Sequence, residues 1–163
     1  CNELAINQLL AMHSVIFRPA ERKIWVSTSP WQCGRFVCYD LNEVFASESA
    51  SVDSVVVPME IFSEAIPEDA FVYSSDFSNV REFKRLLPVM QKAARSGRHV
   101  PEDSLRHFVS LDSLYFNAYN VAGDCYLSSG RAAQAAASYR HALTLPMKLS
   151  EYHHIETKLL GIK

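Results

Sequence analysis

The stretch Met12–Leu41, MHSVIFRPAERKIWVSTSPWQCGRFVCYDL, organises the chain, and both tryptophans lie in it. Val15, Ile16 and Phe17 form an apolar run, and RPAERK then interrupts it. Ile24, Trp25 and Val26 form a second run, and Phe36, Val37, Cys38 and Tyr39 a third. Two β-type runs separated by proline and charges predict a hairpin with a longer loop over 14–28, with the third run beside it. Side chains alternate along a strand, so Ile24 and Val26 share one face and Trp25 takes the other. Both faces of the second strand are then apolar, the pattern of a strand covered on both sides.

The flanks follow from turn chemistry. Pro19 falls in the hairpin loop, where its missing N–H does no harm. The third run follows a turn at Trp31 to Gly34, with Gly34 expected at the special backbone position. Asp40 is placed to cap a short helix over Leu41 to Phe45. Residues 2–12 fit a short helix or an irregular connection. Residues 46–75 read as a connector, a small polar loop leading into Val55, Val56 and Val57. Within it Pro58 and Pro67 bracket MEIFSEAI, which periodicity leaves open between short helix and extended chain.

From Asp76 onward the apolar period changes to that of a helix. Val80, Phe83, Leu86, Leu87 and Met90 recur at helical spacing, with Arg81, Lys84, Arg85 and Lys92 on the other side. Asp76 or Ser78 is expected to cap the start and Gly97 to mark the stop. Pro88 inside the pattern predicts a kink or break near Leu87. Pro101 then opens a new helix, with Glu102 and Asp103 suited to its positive end. Further on, Tyr119, Gly123, Tyr126, Gly130, Ala135, Tyr139 and Ala142 fall at the spacings of a tetratricopeptide repeat, and Pro146 follows. Gly123, Ala135 and Ala142 let two antiparallel helices approach, Tyr126 and Tyr139 fill the gaps, and Gly130 makes the turn. The expected helices run over 112–128, 131–145 and about 149 to 160.

The totals exclude several functions. Sixteen basic against 18 acidic residues give a net charge of −2. That is no cationic footprint for nucleic acid. No apolar run approaches the roughly 20 residues of a membrane-spanning helix. Five glycines in the whole chain form no phosphate-binding loop. Cys33 and Cys38 lack metal-knuckle spacing, and with Cys125 they read as small buried residues. His153 and His154 are adjacent, which turns their imidazoles about 100° apart and argues against a shared metal; His141 lies on the preceding helix. His13 has no fixed catalytic partner. Glu60, Glu64, Glu68 and Asp69 are scattered over the connector without paired-carboxylate geometry. No cofactor or metal site is expected, and no catalytic residue is assigned.

Cys1 leaves two readings open. At a processed N-terminus its α-amine, with a pKa of about 8, can serve as base for its own thiol. Alternatively, Cys1 falls at the boundary of a longer polypeptide.

The block His13 to Phe17, Ile24 to Ser27 and Phe36 to Leu41 resembles the end portion of the acyltransferase branch of the N-terminal nucleophile (Ntn) hydrolases, the group of the penicillin acyltransferases and related peptidase C45-like amide hydrolases. The resemblance covers about 30 of the 163 residues. It implies a four-layer αββα fold, self-cleavage that exposes a Cys nucleophile, and cleavage or transfer of an amide-linked acyl group. The matching block is the terminal part of that fold, so the family's catalytic residues fall in sequence upstream of this chain. Asn7 belongs to no motif that would make it the family's oxyanion-hole asparagine.

The expected class is therefore α+β: a short antiparallel sheet segment, part of an Ntn-type sandwich, followed by a helical tail. Residues 1–45 form the β-rich segment, 46–75 the connector, and 76–163 the helical extension with a tetratricopeptide-like hairpin at 112–146. The expected partners are the remainder of the same protein, completing the sheet, and a small acyl-amide substrate. The alternative function is a small helical-repeat adaptor that binds a protein or peptide.

Overall fold

A computed structural model describes residues 13–46 and 59–162 of the chain. The class is α+β: among the described residues there are three antiparallel strands and six α-helices. The chain divides into two compact units, the first ending at Tyr73 and the second taking up Ser74 onward. The short helix or irregular connection expected over 2–12, and the extended segment expected at Val55 to Val57, lie outside the described residues.

The first unit is built on a sheet of order β1–β2–β3, with β1 at Val15–Arg18, β2 at Lys23–Ser27 and β3 at Phe36–Asp40. Register places Val15, Val26 and Val37 in one cross-strand row and Phe17, Ile24 and Tyr39 in the next. Directly opposed residues share a face, so this face is apolar throughout. The other face carries Ile16, Trp25 and Cys38 in a row. Trp25 is 5% exposed and Cys38 fully buried. A 3-10 turn at Pro19–Glu21 closes the hairpin, and Arg22 takes the left-handed conformation at its end (φ 52°).

Gly34 has a different role from the one expected. Its φ of −72° is extended backbone that any residue adopts. Space is what demands glycine: a Cβ there would lie 2.2 Å from the Thr28 carbonyl oxygen. The positive φ of this turn belongs to Trp31 (53°). After β3, Asp40 accepts from the Asn42 N–H at 2.8 Å and starts α1 (Leu41–Ala46).

Residues 59–73 are more structured than a connector. Phe36 and Ile66 exchange two backbone hydrogen bonds at 2.9 and 3.0 Å, and the Ile61 N–H donates to the Cys38 carbonyl at 2.9 Å. The segment MEIFSEAI thus combines both open alternatives: extended at its two ends, with a 3-10 turn at Phe62–Glu64 between them. It forms a strap along the outer edge of β3. The Trp25 indole N–H donates to the Glu64 carbonyl at 2.8 Å, and Lys23 Nζ pairs with the Glu64 carboxylate. Arg35 lies 2.7 Å from Glu60.

The second unit begins with α2 (Ser75–Arg95), capped by Ser74, whose hydroxyl accepts from the Phe77 N–H at 3.1 Å. The cap is therefore neither Asp76 nor Ser78; both lie inside the first turn. Pro88 does not break the helix, which continues through it. An interior proline costs about 3 kcal/mol. Burial of Phe83, Met90 and Ala93 in the core, at about 1.5–3 kcal/mol for each large side chain, offsets it. Gly97 (φ +66°) stands just past the helix end, as its position suggested.

Pro101 caps α3 (Glu102–Leu111) rather than occupying its first turn, a shift of one residue. The helix expected over 112–128 starts later, because Leu111 ends α3 and residues 112–115 turn before α4 (Phe116–Ser128). Gly130 (φ +77°) makes the next turn, and α5 (Ala132–Ala142) and α6 (Leu149–Leu160) follow. Helices α4 and α5 form the tightest pair. A Cβ on Gly123 would lie 2.5 Å from the Tyr139 ring, and Ala135, Tyr139 and Ala142 are fully buried. Phe83 stacks on Phe108 at 4.8 Å and meets Tyr115 edge-on at 5.9 Å, joining α2 and α3 to the start of α4.

Candidate functional site

Within each unit, the described residues singled out from the sequence do not converge on one site. His13 is exposed. His153 and His154 lie on the outer face of α6, with His153 Nδ1 3.6 Å from Glu156. His141 packs against the Tyr119 ring at 4.1 Å. No group of three or more metal-ligating side chains occurs among the described residues. The connector acids have structural partners: Glu60 with Arg35, Glu64 with Lys23, Glu68 with the Tyr73 hydroxyl, and Asp69 capping the Phe71 N–H at 2.8 Å. Cys1 and Asn7 lie outside the described residues.

The three described cysteines are buried and form no disulfide, and the Cys125 thiol donates to the Met90 carbonyl at 3.4 Å. Burial is the leading cause that raises each thiol pKa; Asp69 adds to it at Cys33 and Glu64 at Cys38. At Cys125 burial, helped by Asp124, pushes the thiol to about 11. The thiolate is the nucleophile, so a raised pKa disarms these side chains near neutral pH. No helix among the described residues is long and apolar enough to cross a membrane.

Three constellations do form. The first is polar. Lys158 on α6 donates to Asn120 at 2.9 Å and to both Asp124 oxygens at 2.8 and 2.9 Å, while the Tyr139 hydroxyl donates to Asp124 at 2.6 Å. Burial first, then the Asp124 hydrogen bond and charge, keep Tyr139 neutral far above the usual phenol range. This network fastens α6 and α5 onto α4. Every member has a partner, so it holds helices together rather than offering a free reactive group.

The second is a groove of about 470 Å³ between α3, α4 and α5, with Leu105, Val109, Tyr119, Ala122 and Tyr126 among its lining. Its volume is within the usual range for ligand sites. The Tyr126 hydroxyl is fixed by Glu102 at 2.8 Å, and Arg131 lies over its ring at 4.6 Å. Burial, with Glu102 second, raises the Tyr126 phenol to about 12.

The third is on the sheet. A hollow of about 310 Å³ beside β1 is lined by Ile16, Phe17, Arg18, Trp25, Glu64 and Ile66. Next to it β1 is exposed along its whole length: Val15 is 43%, Ile16 44% and Phe17 64% accessible. The outer edge of β1 has no strand paired with it among the described residues.

Sequence reasoning missed the Asp124–Lys158 network and the strap at 59–66. The only local signal for the first was Asp124 itself, a charge inside the small-residue face of α4. The strap's contacts are made mainly by backbone groups, which sequence pattern does not display. No family model, curated protein or solved structure matches the chain.

Proposed function

We propose that this chain is the C-terminal part of an Ntn-type amide hydrolase or acyltransferase, acting on small acyl-amide substrates, with its catalytic residues mostly in the remainder of the same protein. The observation that carries this reading is the all-apolar face of Val15, Phe17, Ile24, Val26, Val37 and Tyr39, on which Val15 and Phe17 stand exposed. Such a face calls for a covering layer, and an αββα sandwich supplies one as a second sheet. The opening block's resemblance to the acyltransferase branch gives the chemistry. The buried, disarmed thiols and the dispersed histidines fit a piece that completes a fold without bearing its nucleophile.

In this reading α4 and α5 form a tetratricopeptide-like hairpin, supported by the fit of Gly123 against Tyr139 and by the small residues at Ala135 and Ala142. The groove between α3, α4 and α5 favours a second reading, an adaptor that binds a protein or peptide.

The test compares the 163 residues alone with the longest polypeptide that the native source yields. Each is incubated with phenylacetyl and longer-chain acyl amides, and the released carboxylic acid is measured. Turnover by the longer polypeptide only is expected. Turnover by the 163 residues alone, or by neither preparation, overturns the proposal.

A further inference from the structure

The two edges of the sheet differ. The outer edge of β3 is closed by the strap, through Phe36, Cys38, Ile61 and Ile66. Among the described residues, no strand pairs with the outer edge of β1. Register says which groups stand there. The Ser27 N–H donates to the Ser14 carbonyl at 2.9 Å. Hydrogen-bonded pairs alternate along an antiparallel ladder, so Ile16 and Arg18 turn their backbone groups toward β2. Val15 and Phe17 turn theirs outward.

Among the described residues this edge has none of the usual protections. Val15, Ile16 and Phe17 carry no charge, proline or bulge, and the first charge is Arg18 at the end. A helix or an irregular loop would cover the side chains but leave the outward amides of Val15 and Phe17 without ladder partners. A strand satisfies both. On the Trp25 face it would also meet the hollow over Ile16, Trp25 and Ile66, which has room for a large apolar side chain.

We infer that a further strand of the same polypeptide adds to β1, pairing with Val15 and Phe17. It carries apolar side chains on both faces, one of them filling the hollow beside Ile16 and Trp25. The inference rests on the reading of this chain as part of a larger sheet. Area decides the source. β1 is four residues long, about 13 Å. Pairing along that length with a separate molecule falls well short of the roughly 1,200 Å² of a stable interface. A strand on the same chain needs no such area, because its tether keeps it at high effective concentration.

Amide hydrogen exchange on the polypeptide purified from its native source tests this residue by residue. Ile16 and Arg18, bonded to β2, are the internal reference. The expected result is that Val15 and Phe17 exchange as slowly as these two, at every protein concentration. Exchange at Val15 and Phe17 about a hundredfold faster than at Ile16 and Arg18 overturns the inference. Slow exchange that is lost on dilution overturns the assigned source and points to a second copy. The chemistry is judged separately by the acyl-amide assay. An inactive protein with slow Val15 and Phe17 amides loses the enzymatic reading and keeps the strand; an active protein with fast ones does the reverse.

Discussion

Replacing Gly123 by alanine puts the packing of α4 against α5 to a direct test. The new methyl would lie 2.5 Å from Tyr139 Cε1, 2.7 Å from Cδ1 and 3.0 Å from Cζ. Carbon atoms in contact prefer about 3.5–4.0 Å, so the ring or the helix must retreat by about 1 Å. Tyr139 has nowhere to go: it is fully buried, and its hydroxyl is held by Asp124, which Lys158 grips in turn. Overpacking of this kind costs about 1–3 kcal/mol, and the rigid ring places this site toward the upper end. A strained Tyr139–Asp124 bond adds about 1 kcal/mol. Alanine's better helix propensity returns about 1 kcal/mol. The net is a loss of about 3 kcal/mol, or a melting temperature lower by roughly 12–24 °C for a unit of this size. Thermal unfolding followed by helical circular dichroism reads it. Adding Tyr139→Leu to Gly123→Ala should recover part of the loss, because the clashing ring is gone. A Gly123→Ala protein as stable as the parent, or more so, refutes the argument, since propensity alone would then be at work.

Other consequences can be measured on the same protein. Lys158→Met removes three hydrogen bonds to Asn120 and Asp124. The pair is partly exposed, so the expected loss is about 1–2 kcal/mol in urea unfolding. Alkaline stability should fall in a set window. Cys125 and Tyr126 have folded pKa values of about 11 and about 12, above ordinary values of 9.0 and 10.0. Groups held protonated by the fold contribute fully below their unfolded pKa. That contribution is then lost as pH climbs from about 9 toward about 12. Tyr126→Phe should flatten the upper part of this fall in a pH titration of helicity. Finally, the thiols of Cys33, Cys38 and Cys125 should stay unreactive toward a disulfide reagent at neutral pH until denaturant is added.

The elements of the fold were largely legible, for physical reasons. Apolar runs of β-branched and aromatic residues marked β1, β2 and β3. The helical period marked α2, and small residues set against tyrosines marked α4 and α5. Proline and glycine were the least faithful guides. Pro88 threatened a break that buried Phe83 and Met90 prevent, and Gly34 is needed for a close approach to the Thr28 carbonyl rather than for an unusual φ. Ser74 does not stand out as a cap by residue type, because Asp76 and Ser78 are equally good chemically and only the chain's path decides among them. The candidate sites were much less legible. Lys158 and Asp124 are 34 residues apart, and the hollow beside β1 exists only because Glu64 and Ile66 fold back over the sheet. Distances like these are set by tertiary structure, and local pattern carries no trace of them.

The strap over β3 has a consequence for solubility. With the strap in place, the sheet cannot grow past β3. If the strap came loose, through loss of the Arg35–Glu60 pair or of the bonds at Phe36 and Ile66, the outer backbone groups of β3 would be freed for pairing. Copies could then pair through that edge. The few hydrogen bonds of residues 60–66 thus keep the β3 edge from serving as a template for another chain.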